Sequence, residues 1–141
     1  EVPYAHGILK AISYNKGSEV GTATLESAGK VEKIRLSADR TEIVADGNDL
    51  SYITLELVDS KGIRNQLAEE LVAFSIEGDA TIEGVGNANP MSIESFVANS
   101  RKTWRGSNLL VVRSGKSSGR IIVTATVKAL PVASITITQK K

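Results

Sequence analysis

The stretch Ala45-Asp46-Gly47-Asn48-Asp49-Leu50-Ser51-Tyr52-Ile53-Thr54-Leu55-Glu56-Leu57-Val58-Asp59-Ser60-Lys61-Gly62 decides the fold of this 141-residue chain. It opens on a turn, Asp46-Gly47, and closes on another, Lys61-Gly62. Between them side chains alternate. Ile53, Leu55 and Leu57 take one face, and Tyr52, Thr54 and Glu56 the other. Successive side chains of a strand point to opposite faces, so residues 51–59 read as a strand with one face in a core.

The same period recurs on either side. Val72, Phe74 and Ile76 repeat it. Leu109, Val111 and Arg113 alternate with Leu110 and Val112, which makes that strand apolar on both faces and central in its sheet. Residues 121–127 and 134–138 are rich in β-branched side chains, which suit a pleated surface. Ile34 and Leu36 mark a further short strand. Gly78-Asp79, Gly86-Asn87 and Gly115 with Gly119 punctuate the runs. Short strands at fairly even spacing with such turns predict a sandwich or barrel. One weak helical window, residues 65–71 around Gln66-Leu67-Ala68-Glu69-Glu70, predicts a turn or two of helix. Residues 7–14 and 19–26 read as strands joined by the turn Asn15-Lys16-Gly17-Ser18. A lone hairpin is marginal in water. It therefore packs on the main module or belongs to a neighbour, with Ala28-Gly29-Lys30 as the boundary.

The composition excludes several functions. Lys and Arg number 17 against 16 Asp and Glu, a formal net charge of +1. Nucleic acid and anionic membrane surfaces want a clustered basic patch, so neither is expected as a partner. With no cysteine, disulfides, thiolate metal sites and cysteine nucleophiles are ruled out. No run approaches the roughly 18 apolar residues of a membrane helix. A (β/α)8 barrel needs roughly 250 residues. Glu1-Val2-Pro3-Tyr4 lacks the basic region and apolar stretch of a signal peptide, and the chain reads as a piece cut from a larger protein.

Few residue groups could carry chemistry. His6 is the one histidine, without a Ser, Asp or Cys pattern beside it. Glu69 and Glu70 are adjacent, whereas paired glycosidase carboxylates flank a cleft at about 5 to 9 Å. Asp46, Asn48 and Asp49 offer oxygens, but calcium wants six to eight and the EF-hand spacing is absent. The reading is a turn. Gly84-Val85-Gly86-Asn87 lacks the strand-to-helix context of a nucleotide loop. The most suggestive cluster is Arg101-Lys102-Thr103-Trp104-Arg105. Its Trp could stack on a sugar or a base. The stronger reading starts a strand at Trp104, before the Gly106 turn, and has it cap the core or meet a neighbouring domain. No catalytic residue, cofactor or metal site is expected.

Two family resemblances add to this. Residues 45–62, with Ala45-Asp46-Gly47, a Thr-bearing strand and Asp59-x-x-Gly62, resemble the opening of bacterial immunoglobulin-like domains, including those of intimin- and invasin-type adhesins. The second is narrower. Phe74-Ser75-Ile76-Glu77-Gly78, Ile82-Glu83-Gly84-Val85-Gly86-Asn87-Ala88-Asn89-Pro90, Glu94-Ser95-Phe96, Arg101-Lys102-Thr103-Trp104-Arg105-Gly106 and Leu110-Val111-Val112-Arg113-Ser114 resemble the C-terminal domain of glycoside hydrolase family 2 enzymes. The likeness is greatest to β-galactosidase-like proteins of Bacteroides-type bacteria. Ala88 and Trp104 depart from that pattern, which has Gly and Phe there. Val2-Pro3-Tyr4, Gly7-Ile8-Leu9-Lys10-Ala11 and Tyr14-Asn15-Lys16-Gly17 resemble the last strands of the small β domain that precedes it.

The resemblance implies an immunoglobulin-like antiparallel β-sandwich over residues 31–141, preceded by a hairpin, residues 1–30, from an incomplete β domain. It implies a parent that hydrolyses β-galactosides or related β-glycosides with two glutamates of a barrel. That barrel is outside this chain, so no catalytic residue carries over. It further implies a periplasmic or exported parent. The expected role is a non-catalytic accessory module, with the parent's other domains, a second subunit or a glycan as partners. Trp104, Arg105, Asn87 and Asn89 are the candidate contacts to glycan or to a neighbouring domain. The rivals are a carbohydrate-binding module, for which one Trp, three Tyr and two Phe are few, and an adhesin spacer repeat, for which no internal repeat is seen. An enzyme in its own right lacks a nucleophile–base pair.

Overall fold

The computed structural model describes residues 5–141, so Val2-Pro3-Tyr4 lies outside the described residues. Among the described residues there are eleven strands and no helix. They are β1 (Ile8–Asn15), β2 (Ser18–Glu26), β3 (Lys33–Ala38), β4 (Glu42–Val44), β5 (Leu50–Val58), β6 (Leu71–Glu77), β7 (Ala80–Gly86), β8 (Ser100–Lys102), β9 (Ser107–Ser114), β10 (Gly119–Val127) and β11 (Ala133–Lys140). One sheet has the order β4-β11-β10-β6-β8 and a second β3-β5-β9-β7. Pairing is antiparallel except between β4 and β11.

The alternation that predicted the strands also builds the core. Ile53, Leu55 and Leu57 of β5 are completely buried, while Tyr52 on the opposite face is exposed. They meet Leu110 and Val112 of β9, and across the sandwich Val72 and Phe74 of β6, Ile121, Val123 and Ala125 of β10, and Ile137 of β11. Each such Leu, Ile or Phe contributes about 1.5–3 kcal/mol by leaving water. β9 lies between β5 and β7, central in its sheet; its second face is outside the core, with Leu109 exposed and Val111 half-buried.

Two local features differ from the sequence reading. Residues 65–71 form no helix. Asn65 Oδ1 accepts the Leu67 N–H at 2.9 Å, and the Asn65 carbonyl accepts the Ala68 N–H at 3.2 Å. That single turn ends because the sheet edge takes the next backbone groups: the Thr103 N–H donates to the Glu70 carbonyl at 2.9 Å. Trp104 does not start a strand. It follows β8 and exchanges two backbone bonds with Ser107, both 3.1 Å, around the two-residue turn Arg105-Gly106.

β1 and β2 form a two-stranded sheet of their own. Asn15 pairs with Ser18, leaving Lys16 and Gly17 at φ 48° and 82°. Both central residues of a type I′ turn need positive φ, and that turn matches the strand twist. The cross-strand pairs Leu9–Leu25 and Ala11–Ala23 share one face, and that face is open to solvent. The hairpin's root is tied to the sandwich. The Gly29 N–H donates to Asp59 Oδ2 at 2.8 Å, the Asn65 amide donates to the Gly29 carbonyl at 2.8 Å, and Lys61 pairs with Glu26.

Candidate functional site

The four candidate contact residues fall in two neighbouring places. Asn87 and Asn89 begin the connection of residues 87–99 from β7 to β8. Trp104 and Arg105 lie in the turn from β8 to β9. The Asn87 side chain joins the two, donating to the Lys102 carbonyl at 2.9 Å.

Both asparagines are used inside the loop. Asn87 is buried; its Oδ1 accepts the Asn89 N–H at 3.1 Å, and Asn89 Oδ1 accepts the Met91 N–H at 2.9 Å. These are successive Asx turns, in which the side chain bonds the backbone two residues on. Ala88 between them has φ 59°, a left-handed conformation that disfavours any Cβ. The Asn87 amide and the Asn89 Oδ1 are thus spent on folding.

The loop then turns back along β7. The Val85 N–H donates to the Phe96 carbonyl at 2.8 Å, and the Phe74 N–H to the Asn99 carbonyl at 2.8 Å. A Cβ on Gly84 would lie 3.1 Å from the Phe96 carbonyl oxygen. This Gly therefore serves the close approach of the loop to β7, and the nearby Gly86 ends the same strand.

The loop is held by Arg101, which the sequence reading treated only as a flank of Trp104. Arg101 is completely buried. Its Nη1 donates to the carbonyls of Glu94 at 3.0 Å and Val85 at 3.3 Å, its Nη2 to Ser92 Oγ at 3.1 Å, and its guanidinium stacks 4.2 Å from the Phe96 ring. Nε has no hydrogen-bond partner. Among the described residues no carboxylate lies within 4 Å of it. The available signal was the alternation of Arg101 and Thr103, both buried, with exposed Lys102; a charge at an inward position is easily assigned to the surface.

Trp104 is half-buried and Arg105 exposed. The Arg105 guanidinium lies 5.9 Å from the indole, at the outer limit of a cation–π contact. Gly106 and Thr103 fix the turn to residues 68–70 through the Ala68 carbonyl, at 3.0 Å from each donor.

The acidic groups hold loops together. Asp46 Oδ1 accepts the N–H groups of Asn48 and Asp49 at 2.7 and 2.8 Å, which lowers its pKa. Asp49 accepts from the Val44 N–H at 2.8 Å and from Arg40 at 2.6 Å, and is lowered too. Glu94 is held below the usual carboxylate range by the Lys102 N–H first and the Ser92 hydroxyl next, with the Arg101 and Lys102 charges adding. Glu69 and Glu70 are exposed, as is His6, which lines an open groove of about 1490 Å³ between hairpin and sandwich. Among the described residues no three His, Asp or Glu side chains are placed to hold a metal.

A family model, Glycoside hydrolase family 2 C-terminal domain 5, matches residues 34–136. The chain belongs to that family. This glycoside hydrolase family 2 domain is 36% identical over 140 residues to Beta-galactosidase BoGH2A of Bacteroides ovatus, covering 99% of this chain and 16% of that protein. Among solved structures it resembles a glycosyl hydrolase family 2 member from Bacteroides cellulosilyticus, with 98% identity and TM-score 0.96, over 99% of this chain and 18% of that one. It also resembles a beta-glucuronidase from glycoside hydrolase family 2, with 28% identity and TM-score 0.87, over 99% of this chain and 15% of that one. The domain thus spans about a sixth of the length of the curated relatives it matches.

Proposed function

We propose that this chain is a non-catalytic accessory domain of a longer glycoside hydrolase family 2 enzyme acting on β-glycosides, and that it buttresses the enzyme's other domains. The observation that carries the reading is the alignment itself. Nearly the whole chain matches a small fraction of a β-galactosidase. The chemistry of the surface supports it. Hydrolysis of a glycoside needs two carboxyl groups facing each other across a sugar, whereas Asp46, Asp49 and Glu94 are committed to backbone N–H groups and Glu69 and Glu70 stand on open surface.

In this reading the β1–β2 hairpin is the end of a preceding β domain, and its face of Leu9, Ala11, Ala23 and Leu25 is covered by the rest of that domain. Trp104 and Arg105 contact a neighbouring domain. The Asn87 amide and the Asn89 Oδ1, both engaged within the loop, weigh against a carbohydrate-binding loop here.

The test compares the full-length enzyme with a form lacking these residues. Hydrolysis of nitrophenyl β-galactoside and β-glucuronide and thermal melting are measured on both. The reading expects the shortened form to melt at lower temperature, with the chemistry retained in whatever fraction stays folded. A shortened form that folds with unchanged stability yet loses all turnover would place an essential catalytic group in this chain and overturn the reading.

A further inference from the structure

The loop of residues 87–99 carries four strongly exposed apolar side chains within seven residues. Ile93 is 101% exposed, Met91 84%, Val97 80% and Phe96 62%. Soluble domains expose single apolar residues freely, but a cluster this dense marks a contact surface. The loop is also built to be rigid. Arg101, Asn87, Asn89 and the Val85–Phe96 backbone bond fix it from within. A fixed loop loses little conformational freedom on docking.

We propose that residues 91–97 are the patch by which this domain seats on an apolar surface of its own, longer polypeptide. This rests on the reading that the chain is one domain of such an enzyme. Three observations select that occupant. The matched relatives are about six times longer, so most of each polypeptide lies outside this domain. The patch is confined to seven residues of one loop, and the largest apolar patch of a typical monomer is about 300–600 Å². A stable complex of free-standing proteins buries roughly 800 Å² per partner; a second copy would need more than this loop offers. A covalently linked domain needs less, because its effective concentration is already in the millimolar range or above. Finally, a glycan needs directional hydrogen bonds. Here Ser92 Oγ, both Glu94 carboxylate oxygens and the Asn89 oxygen are engaged within the loop, and Arg101 covers one face of the Phe96 ring.

Met91 is the chain's one methionine and reports on the patch. Hydrogen peroxide transfers one oxygen to its thioether, giving the sulfoxide and water, at a rate that follows solvent access. The measurement is that rate, read by mass on the peptide containing Met91, in the isolated chain and in the full-length enzyme. Protection of about tenfold or more in the full-length enzyme is the expected result for a thioether removed from solvent. In the full-length enzyme, Ile93→Ser with Val97→Ser should restore fast oxidation while leaving the urea midpoint of the isolated chain unchanged. Equal rates in the two wild-type forms would overturn the proposal. So would protection of the isolated chain that grows with its own concentration, which would assign the patch to a second copy, or protection conferred by a soluble β-galactan, which would assign it to glycan. The proposal fails separately from the accessory-domain reading: an unprotected Met91 in an active, intact enzyme sinks the patch and leaves that reading in place.

Discussion

Replacing Arg101 tests how the loop of residues 87–99 is held. Arg101 donates three hydrogen bonds, at 3.0, 3.1 and 3.3 Å, and stacks on Phe96. Bonds from a charged donor are each worth about 1.5–3 kcal/mol net, and the two shorter ones dominate, giving about 4 kcal/mol. A desolvated cation–π contact adds about 2 kcal/mol. The cavity left by truncation to Ala adds about 2 kcal/mol more. Against these stands the several kcal/mol of desolvation for a buried guanidinium with no carboxylate within reach. Arg101→Ala should therefore destabilise the fold by about 3–5 kcal/mol, in the range of other severe core truncations. Arg101→Met keeps the volume and removes the charge, so its cost should fall to about 1–2 kcal/mol. Arg101→Lys keeps a strongly hydrated charge without the planar fork and should be less stable than the Met variant. Urea unfolding followed by Trp104 fluorescence measures all three. At about 1–1.5 kcal/mol/M the Ala variant's midpoint should drop by about 2–5 M. Amide exchange at Val85, whose N–H is bonded to the loop at 2.8 Å, should quicken in each variant. An Ala variant within about 0.5 kcal/mol of wild type, or a Met variant more stable than wild type, would refute the anchoring argument.

Three further outcomes are expected. Ala88→Gly relieves a left-handed Ala at φ 59° that costs about 1–2 kcal/mol, against the 0.5–1 kcal/mol that Gly loses in chain entropy; a net gain of about 0.5–1 kcal/mol in urea should result, and a loss would mean the turn is not formed as described. Asp59 is held below the usual carboxylate range by the N–H groups of Gly29 and Ile63 first, then by Lys61, and Asp46, Asp49, Asp79 and Glu94 are lowered as well. A depressed folded pKa means stability that is present above the unfolded value of about 3.9 and is lost as pH falls through the folded one; urea midpoints should hold from about pH 7 to 5 and decline below about pH 4, less steeply in Asp59→Asn, and a midpoint that rises on acidification would contradict this. A chain beginning at Val31 should melt cooperatively by circular dichroism, since the core residues of the two large sheets all lie beyond it; an unfolded product would make the hairpin integral to the sandwich.

The strands with uninterrupted period-two patterns, β5, β6, β9, β10 and β11, are legible in the sequence because each has a buried face of consistent polarity. β4 and β8, at three residues each, are too short to show a period. β7 is interrupted by Gly84, whose position answers to the Phe96 carbonyl, a contact that only the folded chain reveals. The helical window at residues 65–71 fails because Asn65 bonds its own neighbours and the edge of the sheet takes the Glu70 carbonyl. Tertiary pairing there overrides weak local propensity. The candidate site was legible only in part. The Trp and Asn residues drew attention to this segment, but its anchor, Arg101, looks like a surface charge in one dimension. Asn87 and Asn89 prove to be turn-formers.

A domain that supports a glycosidase without doing its chemistry should show no turnover as the isolated chain. It is incubated with nitrophenyl β-galactoside and nitrophenyl β-glucuronide, and release of nitrophenol is followed across a series of protein concentrations. No release above the buffer rate is expected at any concentration. Turnover that survives purification and rises in proportion to the protein would contradict it.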